Sequence, residues 1–235
     1  MFLVLFLINL QYNNKVMDIT PYILKDFKPF TLHSTIEEVK EFFNTTTFNH
    51  FPIVEKDKLV GLISETEIQG LNEEEKEIGY YQYLFEFFSV EEEANILDVL
   101  KEFASNQTTI MPVLNLKNNY IGYYDVIDVL HTYNETPFFN SNGAVLLLEK
   151  ELRDYSISEV SQIIESNNGK VLGVFVSETS ATSVKIMVKF DSQNINEIIQ
   201  SFRRYEYQVL SNHKDDSFLE DLKDRSNYLQ KYLNI

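Results

Sequence analysis

The chain of 235 residues contains no cysteine. That excludes disulfides, thiolate metal sites and cysteine nucleophiles, and it fits a reducing compartment. Glycine is scarce, with seven in all, which largely closes the glycine-rich loops that hold phosphate through backbone N–H groups. Arginine is missing from residues 18–140, where 22 Asp and Glu stand against 8 Lys, a net charge of −14. Residues 141–235 carry 14 acidic and 11 basic side chains, and the whole chain is at −16. Nucleic acids and anionic membranes are repelled by such a surface, so neither is an expected partner. Long apolar runs are lacking too. The first ten residues, MFLVLFLINL, are too few to span a bilayer and lack the flanking features of a secretory signal. Translation is expected to start at Met17, leaving residues 1–16 as a mis-called or disordered extension of a cytoplasmic protein.

Hydrophobic residues make up 44% and charged residues 24% of the sequence, the balance of a folded protein of one or two domains. The charge shift falls near Asn140-Ser141-Asn142-Gly143, where a domain boundary is expected, giving units at 17–140 and 141–213. The acidic part repeats itself at an offset of about 60 residues. Ile36, Val39, Phe43, Pro52, Ile53 and Val54 fall on Ile96, Val99, Phe103, Pro112, Val113 and Leu114. One inserted residue then places Gly61 on Gly122. Each copy, over about 20–75 and 80–135, predicts an amphipathic helix, a short strand with Pro at its start, a polar turn, a strand ending near Gly, and a second helix.

Two copies of hydrophobic-Pro-hydrophobic followed by hydrophobic-Gly-hydrophobic resemble the CBS domain, the cystathionine β-synthase type repeat that occurs in tandem pairs. The matching residues are Phe51-Pro52-Ile53-Val54 with Val60-Gly61-Leu62-Ile63-Ser64 and Glu67, and Met111-Pro112-Val113-Leu114 with Ile121-Gly122-Tyr123-Tyr124-Asp125 and Asp128. The resemblance implies βαββα-type repeats whose clefts bind adenosine nucleotides. It places Ser64, Glu67, His50 and Phe51 in the first cleft and Asp125, Asp128, Ile110 and Met111 in the second. A carboxylate there accepts from both hydroxyls of a ribose, and an apolar slot takes the base. Glu67 stands where the family has Asp, Asp125 where it has a hydroxyl, and no arginine is present to clamp a phosphate. The bland reading is that these residues cap helices.

Between the copies, Tyr80, Tyr81, Tyr83, Phe85, Phe87 and Phe88 are a packed spacer of helix and strand, a partner-binding surface or part of a homodimer interface. The back half reads as βαββαβ: AVLLLEKEL, a helix opening at Ser156 or Ser158 and ending at Asn168-Gly169, a hairpin turning at Ser180-Ala181, NINEIIQSFRRYE and YQVLS. This ferredoxin-like order resembles an ACT-type regulatory domain, although the glycine of that family's effector turn is missing at Arg153–Ile157. Residues 214–235 predict an amphipathic C-terminal helix. The expected fold class is α+β: a CBS pair, the ferredoxin-like domain and the terminal helix. No catalytic constellation and no metal site are expected, Asp125 and Asp128 alone being too few ligands. The expected function is a non-enzymatic regulator, a homodimer without resident cofactor that takes an adenosine-type effector and acts on a protein partner. The alternative is a constitutive dimerisation or interaction scaffold with degenerate clefts.

Overall fold

The computed structural model describes residues 18–211. The expectations for residues 1–16 and for a helix at 214–235 lie outside the described residues. The chain divides between Asn134 and Glu135 into two units, each with its own hydrophobic core.

In the first unit, helix α1 (Ile36–Thr45) opens on a reciprocal cap. Thr35 Oγ1 accepts from Glu38 N at 3.2 Å, and Glu38 Oε2 accepts from Thr35 N at 3.0 Å. This satisfies two backbone donors that the first turn leaves unpaired. Ile36, Val39 and Phe43 face the core. Strands β1 (His50–Glu55) and β2 (Lys58–Ser64) form an antiparallel hairpin. Its two-residue turn places Lys56 at φ 49° and Asp57 at φ 64°, the left-handed pair whose twist matches the flanking strands. The short helix α2 (Glu65–Gln69) follows.

The second copy repeats this plan. After a kinked 3-10 helix at Ile78–Leu84 come β3 (Val90–Glu91), α3 (Ile96–Asn106), β4 (Ile110–Leu114), β5 (Tyr120–Asp125) and α4 (Val126–Asn134). Asn95 caps α3 by accepting from Leu97 N and Asp98 N, and Ile96, Val99 and Phe103 are buried. Burying each such side chain contributes about 1.5–3 kcal/mol. Both prolines sit third in their strands rather than at the start expected from sequence. The parallel neighbour of β1 explains why this is tolerated at Pro52. Phe30 N donates to Pro52 O, and Val54 N donates to Phe30 O, so that ladder passes over the nitrogen that proline cannot use.

The repeats exchange their lead-in segments. Glu86, in the segment that opens the second repeat, pairs with Leu62 of β2 in the first. Leu24, in the segment that opens the first, pairs with Tyr123 of β5 in the second. Each crossing makes a two-way backbone pair: Leu62 N to Glu86 O at 2.8 Å with Glu86 N to Leu62 O at 2.9 Å, and Leu24 N to Tyr123 O at 2.8 Å with Tyr123 N to Leu24 O at 3.1 Å. The repeated glycine follows from this. A Cβ on Gly61 would lie 2.9 Å from Phe85 Cβ, and one on Gly122, at φ +145°, would lie 2.4 Å from Leu24 O.

The second unit begins with a short helix α5 (Pro137–Asn140) and continues β6 (Ala144–Glu151), α6 (Ile157–Ser166), β7 (Lys170–Thr179), β8 (Ser183–Asp191), α7 (Ile195–Arg204) and β9 (Gln208–Val209). The sheet is antiparallel in the order β7–β8–β6–β9, the ferredoxin-like βαββαβ arrangement read from the sequence. Val184, Ile186, Val188 and Phe190 alternate inward and share a core with Val160, Ile164 and Phe202 of the two helices. Ser156 is the α6 cap. The turn after α6 places the left-handed residue at Asn168 (φ 60°) rather than at Gly169.

Candidate functional site

The open end of each hairpin carries the residues singled out from sequence. In the first repeat His50 and Ser64 are register partners, the last pair of β1 and β2. The equivalent pair in the second repeat is Ile110 and Asp125. Corresponding backbone bonds hold each mouth, from Glu65 N to Asn49 O at 2.9 Å and from Val126 N to Thr109 O at 3.0 Å.

At the first mouth, Ser64 is buried and caps α2, its Oγ accepting from Glu67 N at 3.2 Å. Glu67 is exposed on the first turn, where the helix's positive end favours a carboxylate. The buried His50 ring sets Nδ1 3.1 Å from Asn49 Oδ1 and Nε2 3.3 Å from Glu86 Oε1, and meets Phe88 edge-on. Glu86 lies 36 positions along the chain from His50 and arrives only through the crossing of lead-in segments. The sequence reading missed it, because a glutamate inside an aromatic run carries no sign of its destination.

Asn49 ties this mouth to the other repeat. Its Nδ2 donates to Gln107 O at 2.7 Å, and its Oδ1 accepts from Thr109 N at 2.9 Å and Thr109 Oγ1 at 3.1 Å. At the far end of the hairpins Lys58 Nζ donates to Lys117 O at 2.6 Å, and Tyr120 N donates to Asp57 O at 2.8 Å. The two hairpins are therefore clasped at both ends.

Phe51 has no exposed surface and packs among Phe42, Phe48 and Tyr123. Ile110 and Met111 are likewise fully buried. These three expected slot residues serve the core here, since the first four residues of each strand are buried without a break, both faces being covered. Asp125 caps α4, accepting from Ile127 N at 2.7 Å, and Asp128 is half-buried on the same first turn. The structure thus brings together Ser64, Glu67, His50 and Glu86 at one mouth, and leaves the other with two carboxylates beside an isoleucine.

Tyrosines line the second hairpin. Burial, and then the Asp26 carboxylate that accepts from Tyr123 OH at 2.6 Å, push the Tyr123 phenol far up. Burial also raises Tyr124, to about 12, with Asp18 and Glu92 adding to it. The Tyr124 hydroxyl is enclosed and has no hydrogen-bond partner among the described residues. Among the described residues no cluster of three or more His, Asp or Glu is placed to hold a metal, and no helix is long and apolar enough to cross a membrane.

Residues 16–71 match the family model described as CBS domain. A relative in Methanocaldococcus jannaschii, the protein MJ0188, is 27% identical over 143 residues, which cover 57% of this chain and 54% of that protein. The chain thus spans about half the length of this curated relative. Among solved structures, a CBS domain pair/ACT domain protein from Thermotoga maritima aligns with a TM-score of 0.45 at 18% identity, covering 50% of this chain and 97% of that one. CBSX2 in complex with AMP aligns with a TM-score of 0.43 at 14% identity, covering 49% and 95%. Residues 16–71 are thus similar to the CBS domain, and the same order of elements recurs from Val90 to Asn134.

Proposed function

We propose that this chain is a non-enzymatic regulator in which an adenosine-type ligand enters the mouth of the first repeat. The observation that carries the reading is the meeting of Ser64 and His50 with Glu86, a residue of the segment leading into the other repeat. A ligand seated there touches the hairpin and the crossing segment together, so its binding energy can bias how the repeats are held. Glu67 offers an exposed carboxylate to a ribose. With Glu67 and Glu86 close by and no arginine in the unit, adenosine or AMP is favoured over ATP by charge. AMP is bound in CBSX2, which supports this ligand class.

The second unit serves as an ACT-like domain for packing or dimerisation in a cytoplasmic homodimer that passes the change to a protein partner. One set of observations favours the constitutive scaffold instead. The Ser64 and Asp125 oxygens are engaged in helix caps, and Phe51, Ile110 and Met111 are inaccessible.

A thermal-shift series on the full chain with adenosine, AMP, ADP, ATP and S-adenosylmethionine at about 1 mM separates the two. A ligand at about 100 times its dissociation constant adds about 2.7 kcal/mol, a rise of roughly 5–10 °C for a protein of this size. Glu67→Ala is expected to abolish the shift while Asp128→Ala preserves it. A flat series selects the scaffold.

A further inference from the structure

The aromatic run between the repeats is divided by the fold. Ile78, Tyr81 and Phe88 are buried, and Leu84 and Phe85 pack against the core. Tyr80, Tyr83 and Phe87 stand outside, 68%, 78% and 68% exposed. Three large aromatics this exposed within eight residues do nothing for the core and burden solubility. The segment that carries them is strongly acidic. Eight glutamates fall between residues 73 and 93, and Lys76 is the sole basic residue between Lys58 and Lys101. In space Lys40 approaches Glu74 at 3.8 Å and the His33 ring approaches Glu77 at 3.1 Å, which leaves the carboxylates in excess.

Lys76 shows what these rings accept. Its ammonium lies 5.5 Å from the Tyr80 ring centroid and 5.0 Å from that of Tyr81, while it pairs with Glu73 at 3.1 Å. Aromatic faces set among carboxylates attract cations, and guanidinium groups most readily, because they stack as well as pair. A second copy of this chain meeting the same face across a twofold axis would bring glutamates against glutamates. Nucleic acid and anionic membrane are repelled by the same charge.

We propose that the exposed face of Tyr80, Tyr83 and Phe87 docks a basic, arginine-bearing amphipathic segment of a protein partner. Apolar side chains of that segment cover the rings, and its guanidinium groups meet the surrounding carboxylates. The inference stands apart from ligand binding in the first mouth, so a flat thermal-shift series leaves it untouched.

The test uses the full chain and three fluorescent helical peptides of equal length: one with arginines on one face and leucines on the other, one with glutamates replacing the arginines, and one with serines replacing the leucines. Fluorescence anisotropy is expected to show binding of the arginine–leucine peptide and at least tenfold weaker binding of the other two. The triple variant Tyr80→Ser, Tyr83→Ser, Phe87→Ser keeps the charge of the chain and alters exposed side chains only. It is expected to lose at least tenfold in affinity for the arginine–leucine peptide while its unfolding transition is unchanged. Phe87→Ser alone, with a smaller loss, serves if the triple variant unfolds. Equal binding by wild type and variants would reduce the attraction to net charge and overturn the proposal, as would no binding to the wild type. A shift from dimer to monomer in sedimentation of the triple variant would also overturn it, by assigning the face to a second copy.

Discussion

Gly61 and Gly122 occupy the same place in the two repeats under different constraint. At Gly61 an added methyl meets the Phe85 side chain and the Glu86 carbonyl at 2.9 and 3.0 Å. At Gly122 it would lie 2.4 Å from a backbone oxygen, at a φ of +145° that side chains rarely adopt. Gly122→Ala is therefore expected to destabilise the protein by about 3 kcal/mol or more and Gly61→Ala by about half as much. Urea unfolding of both variants checks the order, and equal losses would show that the crossing segments do not set the requirement. Tyr124 presents the opposite case. Its buried hydroxyl has no partner among the described residues, an arrangement that costs about 1–3 kcal/mol. Tyr124→Phe is expected to raise the denaturation midpoint, by about 1 kcal/mol in stability, and a lower midpoint would reveal a bond to solvent at that oxygen. Sequence made the glycines visible through their recurrence. It held no trace of the orphaned hydroxyl, which depends on what packs around one oxygen.

Among the elements, the helices were the most legible. Thr35, Asn95 and Ser156 precede amphipathic runs and cap them as their side chains allow, since capping is decided within four residues. Pairing between elements was less so. The hairpins follow from local turns, but the exchange of Leu24 and Glu86 between repeats joins residues far apart in sequence with no periodicity to mark them. The clasp at Asn49 belongs to this scale. Asn49→Ala removes its bonds to Gln107 O and to Thr109 N and Oγ1. A loss of about 1–3 kcal/mol is expected, together with faster amide exchange at Thr109, measured by hydrogen–deuterium exchange. Unchanged exchange there would show that the hairpins hold without it.

For the molecule as a whole, both units keep tyrosines neutral well into the alkaline range. Burial pushes Tyr124 in the first unit to about 12. In the second, burial, followed by a hydrogen bond to Glu159, does the same to Tyr207. In the unfolded chain tyrosine titrates near 10. The fold therefore binds these protons more tightly than the unfolded chain does, and the stability linked to them is complete below about pH 10 and lost as pH rises toward about 12. Ultraviolet titration of tyrosinate is expected to show a late fraction that ionises together with loss of circular dichroism. Ionisation of every tyrosine in one early step would contradict this.

The sequence by itself determined the helices, the hairpins, the two copies and the ferredoxin-like order, because capping, alternation and turn chemistry act over a few residues. The resemblance of its motifs to the CBS repeat also implied that Ser64, Glu67 and His50 share one cleft. Only the tertiary structure decided that Phe51, Ile110 and Met111 belong to the core, that Glu86 faces His50, and that Tyr80, Tyr83 and Phe87 are turned outward while Tyr81 and Phe88 are not. Those outcomes depend on which segments cross which strands, and the chain writes that crossing only in the summed packing of side chains distant from one another in sequence.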